Sequence, residues 1–157
     1  MKFKYEDLEI WQVAGELIKT VYTILKKFPD DEKFGLISQG RRAATSIALN
    51  IAEGSGRHTD KDFGQSVRLQ PNTDDHPRLY PAEAGQPMGS LFINRSITSL
   101  LEVDAVLKLG IILEYINQND YKVAEPIIDK EYFKLIAFDK ALTTKPEKRT
   151  RYGTRKA

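Results

Sequence analysis

Ser38-Gln39-Gly40-Arg41-Arg42-Ala43-Ala44-Thr45-Ser46-Ile47-Ala48-Leu49-Asn50-Ile51-Ala52-Glu53-Gly54 is the stretch whose reading decides the fold. Ile37, Gly40, Ala44, Ile47 and Ile51 recur at spacings of 3, 4, 3 and 4, the period of a helix packed on other helices. The small residues Gly40, Ala43, Ala44, Ala48 and Ala52 allow a second backbone to come close. On a wheel of roughly 100° per residue, Arg42, Ser46, Asn50 and Glu53 fall within about 80° of one another. This polar stripe reads either as a solvated face or as a polar network between helices or subunits. Gly54 is expected to end the helix as a left-handed cap.

Outward from this segment, the chain reads as three more helices. Over residues 5–27, Leu8, Trp11, Ala14, Ile18, Val21, Leu25 and Phe28 follow spacings of 3, 3, 4, 3, 4 and 3. Ile10, Val13, Leu17 and Ile24 widen that face, and Pro29 ends it. The central helix is expected over 31–53, capped by Asp30-Asp31, with Gly35 loosening its first turns. A third helix is expected over 90–117, and Asn117-Gln118-Asn119-Asp120 reads as a turn. A fourth spans 121–143, with Val123, Ile127, Ile128, Tyr132, Leu135, Ile136 and Leu142 as its apolar face. Pro126 either opens its regular part or kinks it.

Residues 64–89 break the pattern. They hold four of the seven prolines and three of the ten glycines, with no apolar period. They read as a long loop inserted between the second and third helices. The domain reading is therefore a bundle over 1–144, carrying this insertion, and a basic flexible tail over 145–157.

Composition narrows the function. The 157 residues suffice for one domain with a core. There is no cysteine, which removes disulfides, thiolate metal sites and cysteine nucleophiles and fits a cytoplasmic protein. The two histidines, His58 and His76, lie in turn-rich surroundings. Gly54-Ser55-Gly56 follows a helix, whereas a phosphate loop precedes one. A carboxylate metal pair of Glu53 and Glu102 lacks the Glu-x-x-His spacing of di-metal bundles. No catalytic, cofactor-binding or metal-ligating set is read, no apolar run reaches the roughly 18 residues of a membrane span, and the first residues have no apolar signal core. Net charge is +2, but residues 145–157 carry six basic side chains and one acidic, leaving −3 for the rest. A basic tail on a mildly acidic body suits contact with phosphates.

Leu8-Glu9-Ile10-Trp11-Gln12, Phe28-Pro29 and Gln39…Arg41-Arg42-Ala43…Ser46-Ile47…Asn50-Ile51-Ala52-Glu53-Gly54…Arg57 resemble the bacterial four-helix-bundle proteins. These are the ribosomal RNA intervening-sequence proteins, encoded within some large-subunit rRNA genes; the retroelement accessory variability proteins share their fold. Ser99, Leu101 and Glu102 resemble the Ser-x-x-Glu stretch of that family's third helix. The resemblance covers 5–63 and 91–115. Deleting 64–89 restores the family's join, Asp62-Phe63-Ser90-Leu91.

The resemblance implies an all-α, antiparallel up-down-up-down four-helix bundle that assembles into a ring, a homopentamer, with no enzyme activity and no cofactor. For the accessory proteins it implies nucleic-acid binding and partnership with a reverse transcriptase. The leading expectation is a homo-oligomer that binds RNA or DNA through ionic contacts from Arg57, Lys61, Arg95, Lys148, Arg149, Arg151, Arg155 and Lys156. The alternative is a scaffold ring that docks a partner protein. Arg41, Arg42, Ser46, Asn50, Glu53 and Glu102 are expected to form a structural polar network, with Arg41 or Arg42 pairing with Glu53 or Glu102.

Overall fold

The structure, a computed structural model, describes residues 2–56 and 88–143. It shows an all-α four-helix arrangement, with no strand among the described residues. The helices are α1 (Glu9–Leu25), α2 (Leu36–Gly56), α3 (Met88–Ile112) and α4 (Gln118–Thr143). Two short 3-10 turns, Lys4–Asp7 and Asp30–Lys33, precede α1 and α2. The insertion read at 64–89 lies outside the described residues, except that Met88 and Gly89 already belong to α3. The tail at 145–157 also lies outside them.

α1 buries Ile10, Val13, Ala14, Leu17, Val21, Ile24 and Leu25, the face its periodicity predicts. Full burial of each large aliphatic side chain contributes about 1.5–3 kcal/mol. Trp11 is half-buried, with its ring 5.1 Å from that of Tyr5.

α2 differs from expectation at both ends. Residues 30–33 form a 3-10 turn and the α-helix starts at Leu36. Glu32 explains the break: its carboxylate folds back to accept the Leu36 N–H at 2.8 Å. The carboxylate occupies the space beside Gly35 that any side chain there would need. A negative charge at this helix start is also favourable to the helix dipole. At the other end, Gly54 is not a cap, because the helix continues to Gly56. A Cβ on Gly54 would lie 2.9 Å from the Phe92 Cβ, so this glycine serves the close approach of α3.

α3 stops earlier than expected. The Glu114 N–H bonds to the Ile111 carbonyl at 3.0 Å and the Tyr115 N–H to the Gly110 carbonyl at 2.9 Å. That pair of bonds is a Schellman close, and Glu114 takes the left-handed position at φ 61°.

The segment read as a turn at 117–120 is the start of α4. Asn117 Oδ1 accepts the N–H groups of Asn119 (2.9 Å) and Asp120 (3.2 Å), while Asp120 Oδ2 accepts the Asn117 N–H (3.1 Å). This reciprocal pair is a capping box. Pro126 sits inside the helix. The buried face is Tyr121, Ala124, Ile128, Glu131 and Leu135, rotated from the apolar face read in the sequence. Val123 is 60% exposed. Ile128 and Leu135 of that reading are buried; the rest of the face escaped it because the face contains an acid at 131.

Contacts between helices set their directions. Gln39 of α2 meets Glu102 of α3, Ile47 meets Ser96 and Gly54 meets Phe92. Numbers rise on α2 as they fall on α3, so this pair is antiparallel. α1 and α4 behave alike: Lys27 pairs with Asp120 at 2.5 Å and Glu9 with Lys134 at 2.7 Å. Tyr121 of α4 donates to Asp104 of α3 at 2.7 Å. No helix among the described residues is long and apolar enough to cross a membrane.

Candidate nucleic-acid interface and the polar face of α2

The polar face of α2 reaches α3 through Gln39 and α1 through Arg41. Arg42 Nη2 donates to Gln39 Oε1 at 2.9 Å, and Gln39 Nε2 donates to Glu102 of α3. Gln39 thus stands between the arginine and the glutamate as a neutral relay. It is the member the sequence reading left out, although it lies three residues before Arg42, where helix neighbours meet. Arg41 turns toward α1 instead, its guanidinium 5.4 Å from the centre of the Tyr22 ring. Such a contact contributes about 0.5–1 kcal/mol at an exposed site. Tyr22 also escaped the sequence reading, since nothing in α1 marks it as a partner of α2. Arg41, Arg42 and Glu53 are exposed; Ser46, Asn50 and Glu102 are half-buried. Thr45 donates back to the Arg41 carbonyl at 3.0 Å, a bond that keeps its hydroxyl on its own helix.

Deeper in the same seam, Ser96 of α3 is fully buried and donates toward the Ile47 carbonyl (3.2 Å) and the Phe92 carbonyl (3.1 Å). A helical carbonyl has a spare lone pair, so one hydroxyl ties α3 to the α2 backbone without breaking α2's own ladder.

Two residues beyond Glu102, α3 carries a second polar group, which ties it to α4. Asp104 accepts from Tyr121 at 2.7 Å and from Lys108 at 2.7 Å, and the Lys108 ammonium lies 5.6 Å from the Tyr121 ring centre. The Asp104 carboxylate holds the Lys108 ammonium above its ordinary range. Burial, then the Asp104 carboxylate, raises the Tyr121 phenol. Lys27 donating to Asp120, followed by the Asn117 N–H, lowers the Asp120 carboxyl. Tyr115 donates to Glu32 at 3.2 Å and packs edge-on against Phe28, 5.5 Å between ring centres. These contacts pin helix ends and use up the charges involved.

Of the cations expected to meet phosphates, Arg95 is described. It is exposed on the first turns of α3, its guanidinium 5.6 Å from the Phe92 ring centre. Because Phe92 lies against Gly54, Arg95 stands at the end of the bundle where α2 finishes. Arg57 and Lys61 follow α2 directly in sequence. Their structure, and that of Lys148, Arg149, Arg151, Arg155 and Lys156, lies outside the described residues. No group of three or more histidine, cysteine or acidic side chains able to hold a metal ion occurs among the described residues.

The chain matches no curated protein. The family model described as 23S rRNA-intervening sequence protein matches residues 6–69, a span that takes in all of α1 and α2 with the Gln39–Glu53 polar face. That match supports the chain's place in the 23S rRNA-intervening sequence protein family.

Proposed function

We propose that this chain is a non-enzymatic, self-associating helical bundle that binds nucleic acid through ionic contacts to phosphates. The observation that carries the reading is the family match, whose description ties the family to an RNA sequence and not to an enzyme. The charge distribution agrees with it: a −3 body carries a +5 tail, and exposed Arg95 stands at the bundle end from which the Arg57 and Lys61 segment departs. Such contacts follow the backbone and carry no base code, so shape and charge decide what binds. The test is a gel shift of the full chain with structured RNA and with duplex DNA at about 50 mM salt. A retarded band supports the reading, and free probe at all protein concentrations refutes it.

Self-association rests on a separate feature. Leu101, Ala105, Leu109 and Ile112 form one exposed stripe on α3, with Leu101 55% and Ile112 72% exposed. Phe133 is 69% exposed on α4. Apolar stripes of this kind mark contact surfaces in helical assemblies. A homopentameric ring is the expected product, and native mass spectrometry of the full chain reads its number directly. A monomer as the sole species at micromolar concentration refutes it. The same stripe favours the second reading, a ring that docks a partner protein such as a reverse transcriptase. Partner retention after nuclease treatment in a pull-down selects that reading over the first.

A further inference from the structure

Glu131 is the carboxylate sealed inside the described bundle. It is 0% exposed, and neither side-chain oxygen has a hydrogen-bond partner. It occupies a core position of α4 between the buried Ile128 and Leu135. The antiparallel ion pairs Lys27–Asp120 and Glu9–Lys134 place this level of α4 against the first half of α1. An unpartnered ionised carboxylate is far costlier to bury than the neutral acid.

The surrounding charges do not rescue the ionised form. On its own helix, Lys130 is exposed and Lys134 is held by Glu9 of α1 at 2.7 Å. Asp139 follows two turns later on the same side of α4. The residues that α3 buries from Ser90 to Val103, namely Ser90, Phe92, Ile93, Ser96, Leu100 and Val103, include no ionisable group, and Arg95 is exposed. In α1, Glu9 and the exposed Glu16 are the acids near this level, and the buried Ile10, Val13, Ala14 and Leu17 are apolar.

We propose that seating α4 on α1 and α3 is proton-linked through Glu131: the helix docks with this side chain as the neutral acid, and its ionisation loosens the seat. Burial pushes the carboxyl from 4.5 up to about 8, against the pull of Lys134 and Lys130. The folded chain therefore keeps a proton that the unfolded chain has released between those two values. The contribution of Glu131 to stability is complete below pH 4.5, falls as pH rises toward 8, and levels off above it. His58 and His76 lie outside the described residues, and comparison with Glu131→Gln, which keeps both, subtracts their titration. Tyr115 and Tyr121 are raised above 10, outside the window.

The experiment is thermal unfolding of the full chain between pH 5 and pH 9 at constant ionic strength, for the wild type and Glu131→Gln. The wild-type midpoint is expected to fall by about 10 °C or more across the range, and that of Glu131→Gln by less than about a third as much. Parallel falls in both, or a flat wild-type profile, overturn the proposal. Should Glu131→Gln not fold, carbon NMR titration of the wild-type Glu131 carboxyl decides: a midpoint well above 4.5 upholds the linkage, and an ordinary one overturns it.

Discussion

Gly15 and Gly110 allow one substitution to be made twice with opposite expected signs. Gly15 lies mid-α1, and a Cβ there meets nothing within 4 Å. Replacing it with alanine removes the entropic penalty of a helical glycine, about 0.5–1 kcal/mol. Gly110 lies two residues from the end of α3. A Cβ there would stand 3.0 Å from Phe28 Cε1 and 3.2 Å from Cε2, with Cζ closer still. The ring is buried and has little room to retreat, because Tyr115 packs on it edge-on and is itself bonded to Glu32, the group that caps α2. Overpacking at such a site costs about 1–3 kcal/mol, which exceeds the propensity gain that alanine brings. Gly15→Ala should therefore raise the unfolding midpoint by about 2–4 °C, and Gly110→Ala should lower it by a similar amount or more. Thermal or urea unfolding followed by circular dichroism measures both. Two stabilised variants would refute the packing of α3 against Phe28, and a destabilised Gly15→Ala would refute the open surroundings of α1.

Three further outcomes follow from the helix ends and the charged contacts. Glu114→Gly should stabilise the chain by about 1 kcal/mol, since Glu114 holds a left-handed φ of 61° that glycine adopts without strain; an unchanged urea midpoint counts against that geometry. Asn117→Ala removes the side chain that accepts two N–H groups at the start of α4 and should cost about 1 kcal/mol by the same assay. Asp120, whose carboxyl is lowered below its ordinary 3.8 by Lys27, contributes stability that is present above that value and lost as pH falls below it; Lys27→Met should flatten this acid limb in a pH series of melts.

Much of the fold was legible in the apolar spacing. α1 buries the residues its pattern names, and α2 packs through Ile37, Gly40, Ala44, Ile47 and Ile51. What escaped were contacts between residues distant in sequence. Glu32 reads as one more acid near a helix start, and only its fold-back to Leu36 shows why the helix begins there. Gly54 reads as a cap because no sequence pattern reveals that Phe92 arrives beside it. Asn117 to Asp120 read as a turn since the same residue types serve turns and capping boxes. Glu131 hid the buried face of α4, because an acid in a core stripe contradicts the rule that makes stripes readable. In the polar face of α2, Arg42 reaches Glu102 through Gln39, whose two-sided amide accepts from the one and donates to the other.

If the chain holds nucleic acid by its phosphates, the salt dependence of binding reveals it most directly. The full chain and a variant with Lys148, Arg149, Arg151, Arg155 and Lys156 all changed to glutamine are titrated against one structured RNA over a range of salt concentrations. For phosphate-directed binding, log K falls linearly with log salt, and the variant's slope is shallower by about 0.7–0.9 for each phosphate that it no longer neutralises. A slope near zero in the full chain, or equal slopes in both proteins, would contradict phosphate-directed binding by the tail.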